Sequence, residues 1–441
     1  MCQHPPCLCE TTTNCYRITL SRVTMPAPFR ERVSAVSSEV VRHPLAAWLA
    51  FVFVHLWLGV LALFGPGLPL GDVTIVYRFW MEQGLNLGVW AGIDTRWVYP
   101  VVALVPMLLA AVAGLEAYAG AWLSMVMILN AVAFGVLRGI GRDRGRARVA
   151  WWWLAFLVLL GPIAVGRIDS ITVPLAIIAV LIVASRPRLA AVLLTIATWI
   201  KVWPAAILLA AVVALRSRRE IVSSAAITSF AIIAFALLLG SGANVFSFVT
   251  EQTGRGLQIE APISTFWMWQ ASFGLGGAVV YYDRQILTFQ VEGVGVEAAA
   301  AIITPVLGIA AVVITLIGIR AVRSGAPYLA VLAPLALALV AALIAINKVG
   351  SPQYIAWLAA PVILGIVTRA AGYGHSFRAP AILALVIAAL TQLIYPYLYG
   401  LVIAADPAML LVLTGRNVLL FVLLGWAVFA VATARHNEEG D

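Results

Sequence analysis

Charge is scarce in this chain. Asp, Glu, Lys and Arg make up 11% of its 441 residues, against roughly 25% in a soluble domain. With 63% hydrophobic residues and a mean hydropathy of +1.01, that scarcity excludes a water-soluble fold. Cysteine is absent beyond residue 15: Cys2, Cys7, Cys9 and Cys15 all lie at the start, so no disulfide can tie the rest of the chain. Together with His4 they match no zinc spacing. Only five histidines occur. The chain has no phosphate-binding Walker loop, no His/Glu metal motif and no Asp-x-Asp pair in an outward loop, so it calls for no ATP hydrolysis, no metal and no cofactor. Strand-like alternation is missing too, which leaves helices as the only way to span a membrane. No repeat of 20–50 residues and no low-complexity tract is visible.

Long apolar runs are what the chain has instead. They fall at about 45–64, 98–115, 117–137, 149–166, 170–185, 189–200, 203–215, 221–240, 299–319, 325–346, 354–368, 379–398 and 416–434. A run of about 20 apolar residues crosses a hydrocarbon core of about 30 Å. The expected fold is therefore an all-α polytopic transmembrane bundle of 11–13 spans. Residues 1–43 are expected to form a cytoplasmic tail, 44–434 the membrane domain and 435–441 a second cytoplasmic tail. Nothing near the N-terminus reads as a cleavable signal, and Met25 is a plausible alternative start.

The net charge of +9 does not signal nucleic acid, because the arginines cluster in short loops. Arg138, Arg142, Arg144, Arg146 and Arg148 form one group. Arg186 with Arg188, Arg216 with Arg218 and Arg219, Arg320 with Arg323, and Arg369 with Arg378 form the others. Placing these loops inside puts 20 of the 28 Lys/Arg on the cytoplasmic side, as the positive-inside rule requires. The remaining eight are Arg78, Arg96, Arg167, Lys201, Arg255, Arg284, Lys348 and Arg416. All eight fall in the opposite loops or at helix ends facing them. For this map to close, residues 98–137 must cross an odd number of times, so one of their two runs is re-entrant or lies along the surface. Lys201 and Pro204 divide 189–215 into a hairpin of short helices.

Candidate functional residues gather on that outward side. Asp72 follows the first span, and Val73–Trp80 has the spacing of a helix lying on the membrane surface. An acid at headgroup depth can serve as a general base, although a helix N-cap would also suit Asp72. Arg167 and Asp169 share a short turn, where ionisable groups must be paired or functional. They suit either a mutual salt bridge or a phosphate ligand with a positioning acid. Lys201 is placed either to snorkel or to bind phosphate. Arg255, Gln258 and Glu260 follow in the long loop Ser241–Glu297, between glycines that permit close backbone approach. The aromatic residues of that loop (Phe246, Phe248, Phe266, Trp267, Trp269, Tyr281, Tyr282) suit an interface belt or a substrate pocket. Lys348, Gln353 and Tyr354 close another outward helix end, and Arg416 opens the last expected span. Five cations at separate outward helix ends point to a site for a negatively charged group, with a single Asp facing them as base. His55, inside the first span, is expected to be buried and hydrogen-bonded.

These segments, in order, resemble the GT-C membrane glycosyltransferases that use polyprenyl-phosphate sugars, and most of all their family-87 branch. That branch is common in actinobacteria and includes mannosyltransferases of envelope glycolipid synthesis. The resemblance rests on Asp72, Tyr99-Pro100, Gly166-Arg-Ile-Asp169, Lys201-Val-Trp-Pro204, Arg255 to Glu260, and Ser351-Pro-Gln-Tyr354 with Trp357. It covers roughly residues 45–434. Two features depart from the pattern: Val101 stands where many members have a second proline, and Asn347–Tyr354 replaces a His-rich segment of the mannosyltransferases. The resemblance implies Asp72 as general base on an acceptor hydroxyl and basic residues on the lipid phosphate. It implies an inverting enzyme of the plasma membrane, facing outward, that moves mannose from a polyprenyl-phosphate donor to a glycolipid or glycan. An arabinofuranosyltransferase of the same fold, or a secondary transporter or lipid flippase, is the alternative. Transporters carry internal repeats and midplane charges; here no repeat is visible and the ionisable residues sit at helix ends.

Overall fold

The computed structural model describes residues 43–139, 144–251 and 254–434. The cysteines, His4, Met25, Arg142 and the bulk of both expected tails lie outside them.

The chain is a helical membrane bundle. Helix α1 (Pro44–Phe64) is followed by a π-helical turn (Asp72–Tyr77) that runs into α2 (Arg78–Leu87). Helices α3 (Leu104–Ala111), α4 (Tyr118–Gly139), α5 (Arg144–Leu160), α6 (Asp169–Ile182), α7 (Pro187–Ile200), α8 (Pro204–Ala214) and α9 (Arg218–Leu238) come next. A long connection then carries the short α10 (Ser247–Thr250), α11 (Thr265–Ser272) and three strands, β1 (Leu257–Gln258), β2 (Val279–Asp283) and β3 (Thr288–Glu292). The last set is α12 (Val296–Arg323), α13 (Tyr328–Ala345), α14 (Ala359–Ala370), α15 (Arg378–Gln392), α16 (Tyr399–Ile403) and α17 (Pro407–Ala432).

Among the described residues, eight helical segments are long and apolar enough to cross a membrane, and five shorter apolar helices accompany them. Two of the five, Val101–Ala111 and Pro204–Ala214, rise only about 16 Å each at 1.5 Å per residue. The hairpin of short helices is α7 and α8. Lys201 is extended (φ −151°, ψ 132°) and ends α7, and Pro204 starts α8, where its missing N–H costs nothing.

Helix α13 is the bundle's axis, packed against α8, α12, α14 and α17. It is apolar on every face, as a fully enclosed helix must be, and 83% of its spanning window is buried. In α9 and α12 the figure is 11%, so these two helices present their sides to lipid.

Two expectations need correction. The last span begins at Pro407, not near Arg416: Asp406 caps it by accepting from the Met409 N–H at 3.0 Å. Arg416 therefore lies more than two turns inside α17, and the boundary was misplaced because a charge was read as an end. The long loop is also more ordered than a mixed polar segment suggests. Its strands form an antiparallel sheet of order β1-β3-β2, with Gln258 opposite Gln290 and Leu257 opposite Val291. His55 is buried as expected, bonded through Nδ1 to the Phe51 carbonyl at 2.9 Å and through Nε2 to Asn130 at 3.0 Å.

Candidate functional site

The first cluster forms where the Gly65–Gly71 loop meets the α5–α6 turn. Asp72 opens the π-helical turn without capping it. Its Oδ2 instead lies 3.1 Å from Nε of Arg167, with the carboxylate side chain 35% exposed and the arginine 9%. The rest of the guanidinium is held tightly. Nη1 donates to the carbonyls of Pro69 (2.6 Å) and Gly166 (2.9 Å), and Nη2 donates to the Tyr395 hydroxyl at 3.0 Å. Burial opposes the charge on Arg167, but Asp72 together with Tyr395 and Tyr77 outweighs it and raises its pKa. Tyr77, one turn beyond Asp72, accepts from the Ile168 N–H at 3.1 Å and pins the two segments together. The mutual Arg167–Asp169 salt bridge considered from the sequence does not form, because Arg167 turns toward Asp72.

Asp169 anchors the second cluster. It opens α6, where the helix N-terminus favours an acid, and it is buried. Its Oδ1 accepts from Trp357 Nε1 at 2.6 Å, and its Oδ2 lies 3.9 Å from Nζ of Lys201. Lys201 does not snorkel. Its ammonium sits over the rings of Tyr99 (4.8 Å) and Tyr354 (5.5 Å). Burial alone would lower its pKa; the Asp169 carboxylate together with Tyr99 and Tyr354 outweighs burial and raises it. Trp357 stacks between Trp203 (5.5 Å) and Tyr354 (4.2 Å), which fixes the indole N–H that Asp169 accepts. Tyr77 and Tyr99 meet edge to face at 6.3 Å and join the two clusters.

The third cluster centres on the long loop. Gln258 Oε1 accepts from the Gly350 N–H at 3.0 Å and from Ser351 Oγ at 3.3 Å, and its own N–H donates to the Lys348 carbonyl at 3.0 Å. Gly350 is required here, because a Cβ would run into the backbone of Glu260 and Ala261. Arg255 acts electrostatically on Lys201, Tyr354 and Lys348. Its Nε is buried without a hydrogen-bond partner among the described residues. Burial first, and then Arg255, lower the pKa of Lys348. Gln353 is buried in the 3-10 turn Pro352–Leu358 that also presents Tyr354 and Trp357.

Glu260 and Arg416 make a fourth, enclosed pair. Arg416, 1% exposed, donates from Nη2 to the Glu260 carbonyl at 2.8 Å. Burial pushes the Glu260 carboxyl up to about 7, against the opposing pull of Arg416 and of its hydrogen bond with Tyr399.

All eleven residues singled out in the sequence thus lie on one face. Asp72, Arg167, Asp169, Lys201, Tyr354, Arg255 and Lys348 are linked through direct contacts or shared fields, while Arg416 and Glu260 are closed off beneath the loop. Tyr395 and Tyr399 were not singled out. Tyr395-Pro396 ends an apolar run on the same face, as Tyr99-Pro100 begins one, and that likeness was the available signal. No cluster of His, Cys, Asp and Glu among the described residues has the make-up of a metal site.

A search of curated proteins and a search of solved structures each returned no significant match. The family model for glycosyltransferase family 87 matches residues 97–346, more than half of the chain, and takes in Arg167, Asp169, Lys201, Arg255 and Glu260. This multi-pass membrane protein is a member of glycosyltransferase family 87.

Proposed function

We propose that the protein is an inverting mannosyltransferase of the plasma membrane, working on the outer face with a polyprenyl-phosphate donor and a glycolipid or glycan acceptor. Asp72 is the general base. It takes the proton of the acceptor hydroxyl as the hydroxyl oxygen attacks the anomeric carbon. The bond from that carbon to the phosphate oxygen breaks with inversion, and polyprenyl phosphate leaves. Lys201, Arg255 and Lys348 receive the phosphate charge, while Asp169 and Tyr354 hold Lys201 in place. Arg167 aims the Asp72 carboxylate, and Gln258 and Gln353 shape the wall beside it. Glu260 and Arg416 brace the loop that carries Gln258. Because the leaving group is already a phosphate, the reaction needs one base and cations placed where charge develops, and neither nucleotide nor metal.

The observation that carries this reading is the half-exposed Asp72 carboxylate, held by a buried arginine two residues from Asp169, whose carboxylate faces the Lys201 ammonium at 3.9 Å. A transporter would place its ionisable residues near the bilayer midplane; these sit at helix ends. Mannose is taken from the resemblance to the mannosyltransferases of the family.

The test uses membranes expressing the wild type or Asp72→Asn, incubated with radiolabelled decaprenyl-phosphate-mannose. Label reaching a polar lipid with the wild type only is the expected result, and it should persist in EDTA. Transfer only from decaprenyl-phosphate-arabinose would replace mannose by arabinofuranose. Equal transfer by both proteins would remove Asp72 from the centre of the mechanism.

A further inference from the structure

We infer that α11 and the turn after it are embedded in the lipid interface on the site face, so that the wall of the long loop is a membrane-seated wedge and not a water-exposed lid. The inference does not depend on which sugar is moved. Its first support is where α11 is fastened. Asn417 Nδ2 donates to Thr265 Oγ1 at 2.9 Å, and Trp269 Nε1 donates to Thr414 Oγ1 at 3.0 Å. Both α17 partners lie at least two turns inside a helix that starts at Pro407, which is about 10 Å along its axis. Helix α11 therefore lies beside a spanning helix, below its end.

The second support is what α11 leaves uncovered. Phe266 and Phe273 are 61% and 64% exposed. On α17, Leu411 and Val418 flank the fastening point and are exposed as well. The apolar surface thus continues from the lipid-facing side of a spanning helix onto α11.

Depth arithmetic on α12 gives the third. Between Glu297 and Arg320 this helix has 22 residues without a charge, about 33 Å of rise for a core of about 30 Å. The core boundary on the site face therefore falls near the first turn of α12. Val294, just before that turn, is exposed, and its carbonyl accepts from Trp267 Nε1 at 2.9 Å. Trp267 in turn meets Phe266 edge to face at 5.2 Å. Aromatic side chains at this level are the ordinary content of a membrane interface belt.

Site-directed spin labelling of the full chain in phospholipid vesicles tests the inference. The four native cysteines are changed to Ser, and single labels are placed at Phe266→Cys and Phe273→Cys. Val312→Cys on α12 serves as the lipid reference and Arg284→Cys in the β2–β3 turn as the water reference. Both α11 labels should collide with oxygen in preference to a water-soluble nickel chelate, at a depth of about 5–10 Å into the interface. Nickel collision as frequent as at position 284 would overturn the inference. So would exclusion of both reagents, which would mean that protein covers the face. Leu275→Cys supplies a second reporter should either α11 variant fail to purify as a monodisperse protein.

Discussion

Two carboxylate–arginine pairs stand on the same face of this protein, and they are built differently. In the Asp72–Arg167 pair the acid is half-exposed and meets the guanidinium directly at 3.1 Å, while the arginine is buried and its remaining donors are occupied. In the Glu260–Arg416 pair both residues are buried, and the arginine bonds the backbone carbonyl of its partner. One pair presents a carboxylate to whatever enters the site. The other encloses charge to fasten the loop onto α17. Burial of a charge is tolerable only when it is paired and hydrogen-bonded; Arg167 meets that condition, while Arg416 keeps a buried Nε without a hydrogen-bond partner among the described residues. What separates them is whether the carboxylate is left open to solvent.

The comparison can be broken or sharpened by mutation. The largest expected effect is from Asp72→Asn. It should lower the transfer rate by about 10²–10⁴, the usual worth of a general base, and shift the thermal midpoint in detergent less than Arg416→Leu does. A matching loss of stability would place Asp72 with the structural pair. Arg416→Leu should do the reverse. Removing one partner of a buried pair costs about 3–5 kcal/mol, and the loss should fall at the low end because Glu260 can take up a proton. Thermal unfolding in detergent would read it. Tyr395→Phe removes one acceptor from Arg167, a bond to a charged group worth about 1.5–3 kcal/mol. It should lower the turnover rate by about tenfold, with little change in the donor's KM; a change in KM alone would tie Tyr395 to binding.

The smallest effect concerns pH. The Glu260 carboxyl titrates at about 7 in the fold against an ordinary 4.5, so between those values the folded chain holds a proton that the unfolded chain has lost. Stability therefore falls as pH rises through this window and levels off above it. Glu260→Gln should flatten that slope in thermal unfolding measured from pH 4.5 to 8. An unchanged slope would assign it to another group.

Much of this arrangement was legible in the linear chain. Apolar runs and arginine-bearing loops marked the spans and their ends, because a bilayer imposes a length on every crossing helix and a bias on every short loop. The break at Lys201 and Pro204 announced two short helices for a local reason, a proline that cannot continue α7. Candidate residues could be gathered by face, since every outward helix end must come to the same side. Pairing was not legible. Arg167 and Asp169 are two residues apart, and nothing local says that one turns to Asp72 and the other to Lys201 and Trp357. Arg416 looked like a helix end because its partner, Glu260, lies 156 positions away in sequence.

Composition and hydropathy thus determined the helical class and the face on which polar chemistry collects, because lipid constrains each segment separately. Tertiary packing alone decided which carboxylate stays open, which cation is spent on which acid, and that Tyr395 and Tyr399 enter the site. Those outcomes depend on contacts between segments that the membrane constrains alike and only the assembled bundle tells apart.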